Sequence, residues 1–501
     1  MVAAFMFTTR RIDEASLVQH VERGAAVGAR QAFKVARAEY MRVVQVADTE
    51  RQGAALDAAR STLQAQQVVQ WIAYLRLRAE LLIRCGDASG AEATATEALQ
   101  LADQVFAHAP LLVTCLVTLA SVQALQGRLA DAASNYDRAA ARALPGHAVL
   151  IGAWRDVLRG LAEVDRNTAA ALKFIGGGLA ALRSGASFSF LSTAPPLLAA
   201  RVCAWSLDFD VETDYVRSVI SRRKLVAPFA HARAWPWALR IHLFGGFRCD
   251  WALEAEGVGR ARNKPAKRLL GLLRWLAHVG PEGIDRRTLI RQLWPGEAAE
   301  EQSAAFDMAL ARLRKALPDT NLIIVDKSML RLDRERVWVD AWAFTSLCGH
   351  VETQLAGEAP PRPDVLLNWA AEVNRLVLGR YLDGEEDGAA MEVVAEQLRE
   401  RFVNNQEQLA EALARYDVAA ARDLLAKALE REPYAEQLYR ALMRLQLRAG
   451  DFAEVVRTYR RCQTAISRAY GVALASQTQA ILAQLPQPVP GEVAPKHKAA
   501  G

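Results

Sequence analysis

The sequence has few of the residue spacings that mark catalytic or metal sites. Its 6 cysteines lie too far apart for CxxC pairs, so we expect buried free thiols rather than zinc ligands or disulfides. The 8 histidines show no metal-ligand spacing, and GxSxG, HExxH and GxxxxGK[ST] do not occur. We therefore predict a protein that is not an enzyme and needs no metal or cofactor. The cysteines are Cys85, Cys115, Cys203, Cys249, Cys348 and Cys462.

Long hydrophobic runs are also missing. No uncharged apolar stretch reaches about 18 residues, so the sequence predicts no membrane-spanning helix. The first residues, MVAAFMFTTRRIDEAS, hold only a short apolar run before mixed charges, unlike a secretory signal peptide. We expect a cytoplasmic protein.

The composition is that of a globular protein with ample core. At 501 residues, with 52% apolar and 24% charged, the chain is long enough for roughly two to four domains. Alanine and leucine dominate over glycine and proline, which favours helix, so we predict a mainly α fold. The net charge of +6 permits an anionic partner without requiring one.

Residues 1–230 have the pattern of successive helices with an internal repeat. The segments IRCGDASGAEATATEAL and ALQGRLADAASNYDRAA align about 41 residues apart, within the range of helical-hairpin repeats. Each has a glycine-bearing turn, at Gly86 or Gly127, followed by a small-residue helix. We predict a tetratricopeptide (TPR)-like α-solenoid that senses a signal or partner. The run IGGGLA indicates close helix packing or a break. Small residues expected to let the helices pack closely are Ala91, Ala93, Ala132 and Ala133.

The hydrophobic pattern changes from period 3.6 to period 2 near residues 228–236, which marks a domain boundary. We predict a central α+β domain at 236–345 and a helical domain at 360–485. Within the latter, YDVAAARDLLAKALEREP matches GDFAEVVRTYRRCQTAIS about 34 residues later, the TPR period. Residues 486–501 contain prolines without apolar periodicity and are expected to be a disordered tail.

The central region combines strands, three helices and a hairpin. The stretch LRIHLFGGFRCD predicts a strand or hairpin. A helix follows with Pro265 in its first turn and Gly280 just past its end. Next comes a short helix capped by Asp285 and stopped by Pro295. After the third helix, at 303–317, NLIIVDKSMLRLD and RVWVDAWAF predict a β-hairpin with an extra strand. This order is that of a winged helix-turn-helix.

The third helix has an apolar face and a basic face. On a helical wheel Phe306, Leu310, Leu313 and Leu317 form one stripe, with cations around Ala311 opposite. A helix lies deep in a major groove about 12 Å wide only if its centre line is small, and arginine can then contact guanine or phosphates. A basic outer face is also common on ordinary solvated helices, so this helix alone does not decide the function. The candidate DNA-binding residues here are Ser303, Asp307, Met308, Ala311, Arg312, Arg314 and Lys315.

Further basic clusters lie within the same region, and some of them would be solvated faces. They are Arg260, Arg262, Lys264, Lys267 and Arg268; Arg286, Arg287 and Arg291; and Lys327 with Arg331.

Taken in order, LRIHLFGGFRCD, KPAKRLLGLLRWLA, IDRRTLIRQLWPG, AAFDMALARLRKAL and VWVDAWAF resemble the OmpR-type winged-helix domain of the SARP family of bacterial transcription activators. GRYLDGEED, LRERFVNNQEQLAEAL, EREPYAEQLYRALMRLQLRAGDFAEVVRTYRRCQTAIS and YGVALASQTQAI resemble that family's bacterial transcriptional activator domain. The N-terminal repeats, followed by VETDYVRSVISRRKLVAP and WPWALRIHLFGGF, are similar to MalT-like regulators.

The resemblance implies that the third helix reads a major groove of double-stranded promoter DNA. It implies that the hairpin Asp326–Leu332 is the wing, with Lys327 and Arg331 as candidate DNA contacts. The C-terminal repeats would contact RNA polymerase or a second copy of the chain, and the N-terminal repeats a protein or small-molecule effector. The sequence departs from the family in lacking a P-loop ATPase, a recognisable receiver domain and a glycine at the wing tip DKSM.

Two functions remain open from the sequence. The first is a DNA-binding transcriptional regulator that acts as an activator. It would lie in the bacterial cytoplasm and associate with the nucleoid when bound to DNA. The alternative is a non-enzymatic TPR scaffold that binds protein partners, with no sequence-specific DNA binding.

Overall fold

The computed structural model describes residues 68–84, 87–104, 109–184, 194–250, 264–294, 299–357, 360–384 and 389–485. The first part of the expected solenoid and the expected tail at 486–501 lie outside these residues. The chain divides into two compact units, one of residues up to Ile241 with Cys249–Ala343, the other of His242–Arg248 with the residues from Phe344 onward. Most described residues are helical, which confirms the mainly α fold.

The N-terminal part of the first unit consists of consecutive helices, of which α1 to α6 each pack on the next and α7 packs on α8. The pairs α1–α2, α3–α4, α5–α6 and α7–α8 form helical hairpins. Their core contains Trp154, whose indole N–H donates to the Tyr136 hydroxyl at 3.0 Å, while that hydroxyl lies 2.9 Å from Ser121 Oγ. The helices are α1 (Val68–Arg84), α2 (Ala88–Gln104), α3 (Ala109–Leu125), α4 (Leu129–Ala140), α5 (Pro145–Glu163), α6 (Thr168–Ser184), α7 (Pro196–Asp208) and α8 (Thr213–Arg223).

Small residues set the helix spacing, with one exception to our expectation. Ala91, Ala132 and Ala133 are buried as predicted, but Ala93 is exposed. The prediction for Ala93 was wrong because residues two apart on a helix point in nearly opposite directions, so Ala91 and Ala93 cannot share a packing face. Gly86 lies outside the described residues, whereas Gly127 forms the α3–α4 turn with a φ of +81°.

The IGGGLA run lies inside α6, which continues through it without a break. At Gly178 an added Cβ would come within 2.6 Å of the Ala153 carbonyl oxygen on α5 and 2.7 Å of Val157 Cγ2. At Gly160 on α5 it would lie 2.5 Å from the side chain of Ile175 on α6. Close helix packing, one of the two predicted alternatives, is therefore confirmed.

The segment after α8 packs back on the N-terminal helices. The Ala234 N–H donates to Asp208 Oδ1 at 2.7 Å, and Trp235 is only 3% exposed. The Arg240 guanidinium donates to the Trp235 carbonyl at 3.0 Å, and the Ala238 N–H donates to the Arg336 carbonyl at 3.0 Å. This stretch is thus ordered structure that joins the helices to the central region.

The central region has two small sheets around three helices. One sheet has the order β2-β1-β6 and the other β3-β5-β4, in which β4 and β5 form an antiparallel hairpin. The predicted order of strands, three helices and hairpin is present. The elements are β1 (Leu239–His242), β2 (Arg248–Asp250), α9 (Lys264–His278), β3 (Ile284–Asp285), α10 (Arg286–Leu293), α11 (Ala299–Ala316), β4 (Ile323–Asp326), β5 (Met329–Leu332) and β6 (Val337–Val339), with a 3-10 turn at Thr320–Leu322.

The extra strand expected in RVWVDAWAF differs from the prediction. Only Val337–Val339 is a strand, and it pairs in parallel with β1 rather than extending the hairpin. From Asp340 onward the chain is helical. The alternation was misleading because Phe344, Leu347 and Val351 continue the buried positions at helical spacing, so helix packing decides the structure from Asp340.

The second unit is a stack of helices. The pairs α14–α15 and α16–α17 form the two predicted repeat hairpins. Asp417 caps α15 by accepting from the Ala420 N–H at 2.9 Å, while the corresponding Asp451 before α17 pairs with Arg422. The helices are α12 (Asp340–Leu355), which begins in the first unit, α13 (Pro363–Leu376), α14 (Ala389–Leu413), α15 (Val418–Arg431), α16 (Glu436–Arg448), α17 (Phe452–Tyr470) and α18 (Ser476–Leu482).

The FGGF turn between β1 and β2 belongs to this second unit. The Gly245 N–H donates to the Arg380 carbonyl at 2.9 Å, and the Leu382 N–H donates to the Leu243 carbonyl at 2.7 Å. A Cβ on Gly379 would come within 2.9 Å of Gly245 Cα. The glycines of FGGF and GRYLDGEED therefore permit close approach of two backbone segments.

The cysteines agree largely with the expectation. Four of them, Cys115, Cys203, Cys348 and Cys462, are buried free thiols, whereas Cys249 is half-buried. Burial raises the pKa of the Cys203 thiol to about 12, so it stays protonated near neutral pH. Cys85 lies outside the described residues. No helix in the described part of the chain is long and apolar enough to cross a membrane.

Candidate nucleic-acid interface

The third helix, α11, buries one side and exposes the other. Phe306, Leu310, Leu313 and Leu317 are between 0% and 8% exposed, which confirms the predicted core stripe. The helix starts at Ala299 rather than at the predicted Ser303. Phe306 packs edge-on against Trp294, which follows α10, with ring centroids 5.9 Å apart. The end of α10 and the core side of α11 thus share an aromatic contact.

The exposed side of α11 has a narrow centre line. Ala304, Met308, Ala311 and Lys315 are all exposed, and their spacing of four, three and four residues puts them on one line along the helix. The Met308 side chain is 59% exposed. Arg312 is exposed beside this line. The surface that results has small or flexible apolar residues in the middle and cations toward its C-terminal end.

Arg314 lies elsewhere than on this exposed face. It is half-buried, and its Nη2 donates to the Ile323 carbonyl oxygen at 2.9 Å, at the start of β4. The guanidinium group therefore ties the C-terminal half of α11 to the hairpin. The helical wheel placed Arg314 on the outer arc, but the long side chain folds against its neighbour, which a wheel does not represent.

Ser303 and Asp307 are both engaged by one arginine from α10. Arg286 Nη2 donates to Ser303 Oγ at 3.0 Å and lies 2.9 Å from the Asp307 carboxylate. The Arg286 guanidinium carbon also lies 5.0 Å from the centre of the Phe306 ring. Asp307 is thus an ion-paired carboxylate on the exposed side of α11. Sequence reasoning missed this role, because Arg286 was only one member of a cationic cluster.

The β4–β5 hairpin turns at Lys327 and Ser328. Lys327 is exposed and has a φ of +55°, in the left-handed region, where glycine would be favoured. Arg331 is half-buried on β5, opposite Ile324. Of the two predicted hairpin contacts, Lys327 is therefore the more accessible.

Asp285 links this turn to the start of α10. Its side chain accepts from the Arg287 N–H at 2.9 Å and the Thr288 N–H at 3.3 Å, as expected of an N-cap. The pKa of the Asp285 carboxyl lies below its usual value, chiefly because the Thr288 N–H donates to it. A hydrogen bond from the Ser328 side chain and the N–H and charge of Arg287 lower this pKa further. The capped helix end and the hairpin turn are therefore joined through one carboxylate.

Three other predicted cations are exposed on α9 and α10. Arg287 and Arg291 on α10 are exposed, and so is Arg268 on α9, with its guanidinium carbon 5.8 Å from the centre of the Trp294 ring. Arg260 and Arg262 lie outside the described residues. Among the residues that are described, no group of three or more His, Cys, Asp or Glu is arranged to hold a metal ion.

Comparison with known proteins identifies the C-terminal helices. Residues 339–485 match the family model of the Bacterial transcriptional activator domain. This match confirms the resemblance of the third region to that family, and it leaves residues 236–338 of the predicted central region outside the matched range. No curated protein sequence matches the chain significantly.

Two solved structures align with this chain at low similarity. Mycobacterium tuberculosis EmbR, in complex with a low-affinity phosphopeptide, aligns with 19% identity and a TM-score of 0.39 over 49% of this chain and 64% of its own. The TPR domain of P58(IPK) aligns with 11% identity and a TM-score of 0.19, covering 93% of this chain and 96% of its own. The chain thus spans less than two thirds of the EmbR chain that it matches.

Proposed function

We propose that this protein is a DNA-binding transcriptional regulator, an activator, in which the central region is a winged helix-turn-helix of OmpR type. In this proposal α11 enters the major groove of promoter DNA and the β4–β5 hairpin is the wing. The match of residues 339–485 to an activator-domain family supports a function in transcription.

The observation that carries the proposal is the exposed face of α11. Ala304, Met308 and Ala311 form a centre line that lets the helix approach the floor of a groove about 12 Å wide. Arg312 and Lys315 are exposed where they can reach base edges or phosphates. Met308 is suited to apolar contact with a thymine methyl group. The proposal gives Arg314 a structural role, since its guanidinium is bonded to the hairpin.

The outer elements supply the rest of the proposed function. The C-terminal repeats would contact RNA polymerase or a second copy of this chain, and the N-terminal repeats would bind a protein or small-molecule effector. Pairing of two copies on DNA would place two recognition helices on successive major-groove sites. The protein would act in the bacterial cytoplasm, at the nucleoid when bound.

The test is a comparison of two double variants in mobility-shift and footprinting assays on the promoters next to the gene. Arg312→Ala/Lys315→Ala removes two exposed cations from α11. Arg448→Ala/Arg460→Ala removes two exposed cations from the C-terminal helices and is the charge-matched control.

We expect the α11 variant to lose at least about tenfold in affinity for a protected site, since each base-contacting arginine contributes ~1–3 kcal/mol. The slope of its salt dependence should fall by about one unit for each phosphate that the variant no longer binds. The control should bind like the wild type. An α11 variant that binds as well as the control would contradict the assignment of the recognition helix. A wild-type protein that protects no promoter site would favour the scaffold alternative.

A further inference from the structure

Arg286 contacts three parts of the proposed DNA-reading surface at once. Its guanidinium reaches Ser303 at 3.0 Å and Asp307 at 2.9 Å on α11. Its backbone N–H donates to the Ser328 carbonyl in the hairpin turn at 2.7 Å. The preceding Asp285 pairs with Met329 in the β3–β5 ladder. One residue therefore connects the start of α10, the N-terminal half of α11 and the turn of the hairpin.

The same contact changes the charge of the exposed surface. Asp307 lies on the exposed side of α11 beside Ala304, Met308 and Ala311, nearer the cations of the C-terminal end than the exposed Glu301, and a free carboxylate there would repel phosphates. The Arg286 guanidinium lies 2.9 Å from this carboxylate, so the pair is locally neutral. The guanidinium is half-buried and stacked near Phe306, which restricts its position more than an exposed ion pair would.

We propose that Arg286 is a positioning residue of the DNA interface: it fixes α11 relative to the hairpin turn and cancels the charge of Asp307. The proposal rests on the function proposed above, and Arg314 performs the corresponding tie at the other end of α11 through Ile323. Arg286 acts on DNA affinity through the spacing of two contacting elements and through Asp307, and it need not touch DNA itself.

The first experiment is a double-variant cycle in DNA binding. The proteins compared are wild type, Arg286→Ala, Asp307→Asn and the combination, with Arg287→Ala as the control because Arg287 is its exposed neighbour with equal charge. Arg286→Ala leaves Asp307 unpaired, so it should bind more weakly than Arg287→Ala. Adding Asp307→Asn removes the repelling charge and should recover part of the loss, about threefold or more, as expected of residues in contact. Equal binding by Arg286→Ala and Arg287→Ala, or strictly additive effects, would overturn the proposal.

The second experiment measures positioning in the free protein. Hydrogen exchange of Arg286→Ala should accelerate in the N-terminal half of α11, whereas Arg287→Ala should leave it unchanged. Exchange in the hairpin turn is an internal reference, because its bond comes from the backbone N–H of residue 286, which alanine retains. Unchanged exchange in Arg286→Ala would refute the tie. Should Arg286→Ala not fold, Arg286→Lys replaces it, since lysine keeps the charge but not the forked geometry. It should show the same faster exchange to a smaller extent, and wild-type exchange would refute the tie.

The two experiments separate the two proposals. A wild type that binds no promoter DNA while Arg286→Ala still loosens α11 would remove the proposed function and leave the structural tie. Specific DNA binding by the wild type, with no effect of Arg286→Ala on exchange or affinity, would remove the structural tie and leave the proposed function.

Discussion

Arg312 and Arg314 lie two residues apart on one helix, and the structure places them in different surroundings that substitution can distinguish. Arg312 is exposed on α11, whereas Arg314 is half-buried and bonded to the Ile323 carbonyl at 2.9 Å. We expect Arg314→Ala to destabilise the protein and Arg312→Ala to weaken DNA binding. The two variants remove the same charge, so each is a control for the other.

The magnitudes follow from the two environments. A hydrogen bond from a charged donor contributes about 1.5–3 kcal/mol, and partial exposure of Arg314 puts its loss toward the lower end of that range. An exposed surface substitution such as Arg312→Ala changes stability by no more than about 0.5 kcal/mol. If Arg312 contacts a base edge, its loss weakens specific binding by ~1–3 kcal/mol.

Thermal unfolding followed by circular dichroism and titration of a protected promoter fragment measure both quantities on the same samples. Arg314→Ala should unfold at a lower temperature than Arg312→Ala. Arg312→Ala should bind DNA more weakly than Arg314→Ala at a temperature where both are folded. Equal stability of the two variants, with equal losses in affinity, would show that Arg314 points outward and that the tie to β4 is absent.

Three further predictions concern local structure. Gly178→Ala should destabilise the α5–α6 pair by about 1–3 kcal/mol, because its Cβ would lie 2.7 Å from Val157 Cγ2. Gly177→Ala is the control: its Cβ would meet open space, so it should stabilise the protein by up to ~1 kcal/mol. Urea unfolding measures both free energies. Lys327 has a left-handed φ of +55°, which costs a residue with a side chain about 1 kcal/mol, so Lys327→Gly should raise the unfolding temperature. The same variant should bind DNA more weakly because it lacks a cation. A lower unfolding temperature would contradict the first expectation. The pKa of the Asp285 carboxyl is lowered in the fold, so its ionised form stabilises the protein above the usual value of 3.8 and this contribution is lost as pH falls further. Asp285→Asn keeps the cap but should show a shallower loss of stability in acid, and an unchanged acid profile would contradict the assignment.

Local rules explain which features the sequence could predict. The buried stripe of α11 follows from apolar residues at helical spacing, as with Phe306 and Leu313. Asp285 was recognisable as an N-cap, and Gly280 as a helix stop with a φ of +90°. Each of these depends on a few neighbouring residues, whose physical preferences act within one or two turns.

Interactions between distant segments explain what it could not predict. Arg286 meets Asp307 only because α10 and α11 cross at that point, and any exposed cation of its cluster could have been the partner. The helical wheel placed Arg314 outward, but the side chain is long enough to fold onto Ile323, and tertiary packing determines that it does so. The same holds for the close approach of Gly379 to Gly245, which no local pattern marks.

A genome-wide map of bound DNA tests the central claim most directly. Wild-type protein should give sharp peaks at a limited set of promoters. The peaks should disappear for Arg312→Ala/Lys315→Ala and persist for the control that removes two exposed C-terminal cations, Arg448 and Arg460. Peaks that survive in the α11 variant, or a wild type with no peaks, would contradict the proposed recognition of DNA by α11.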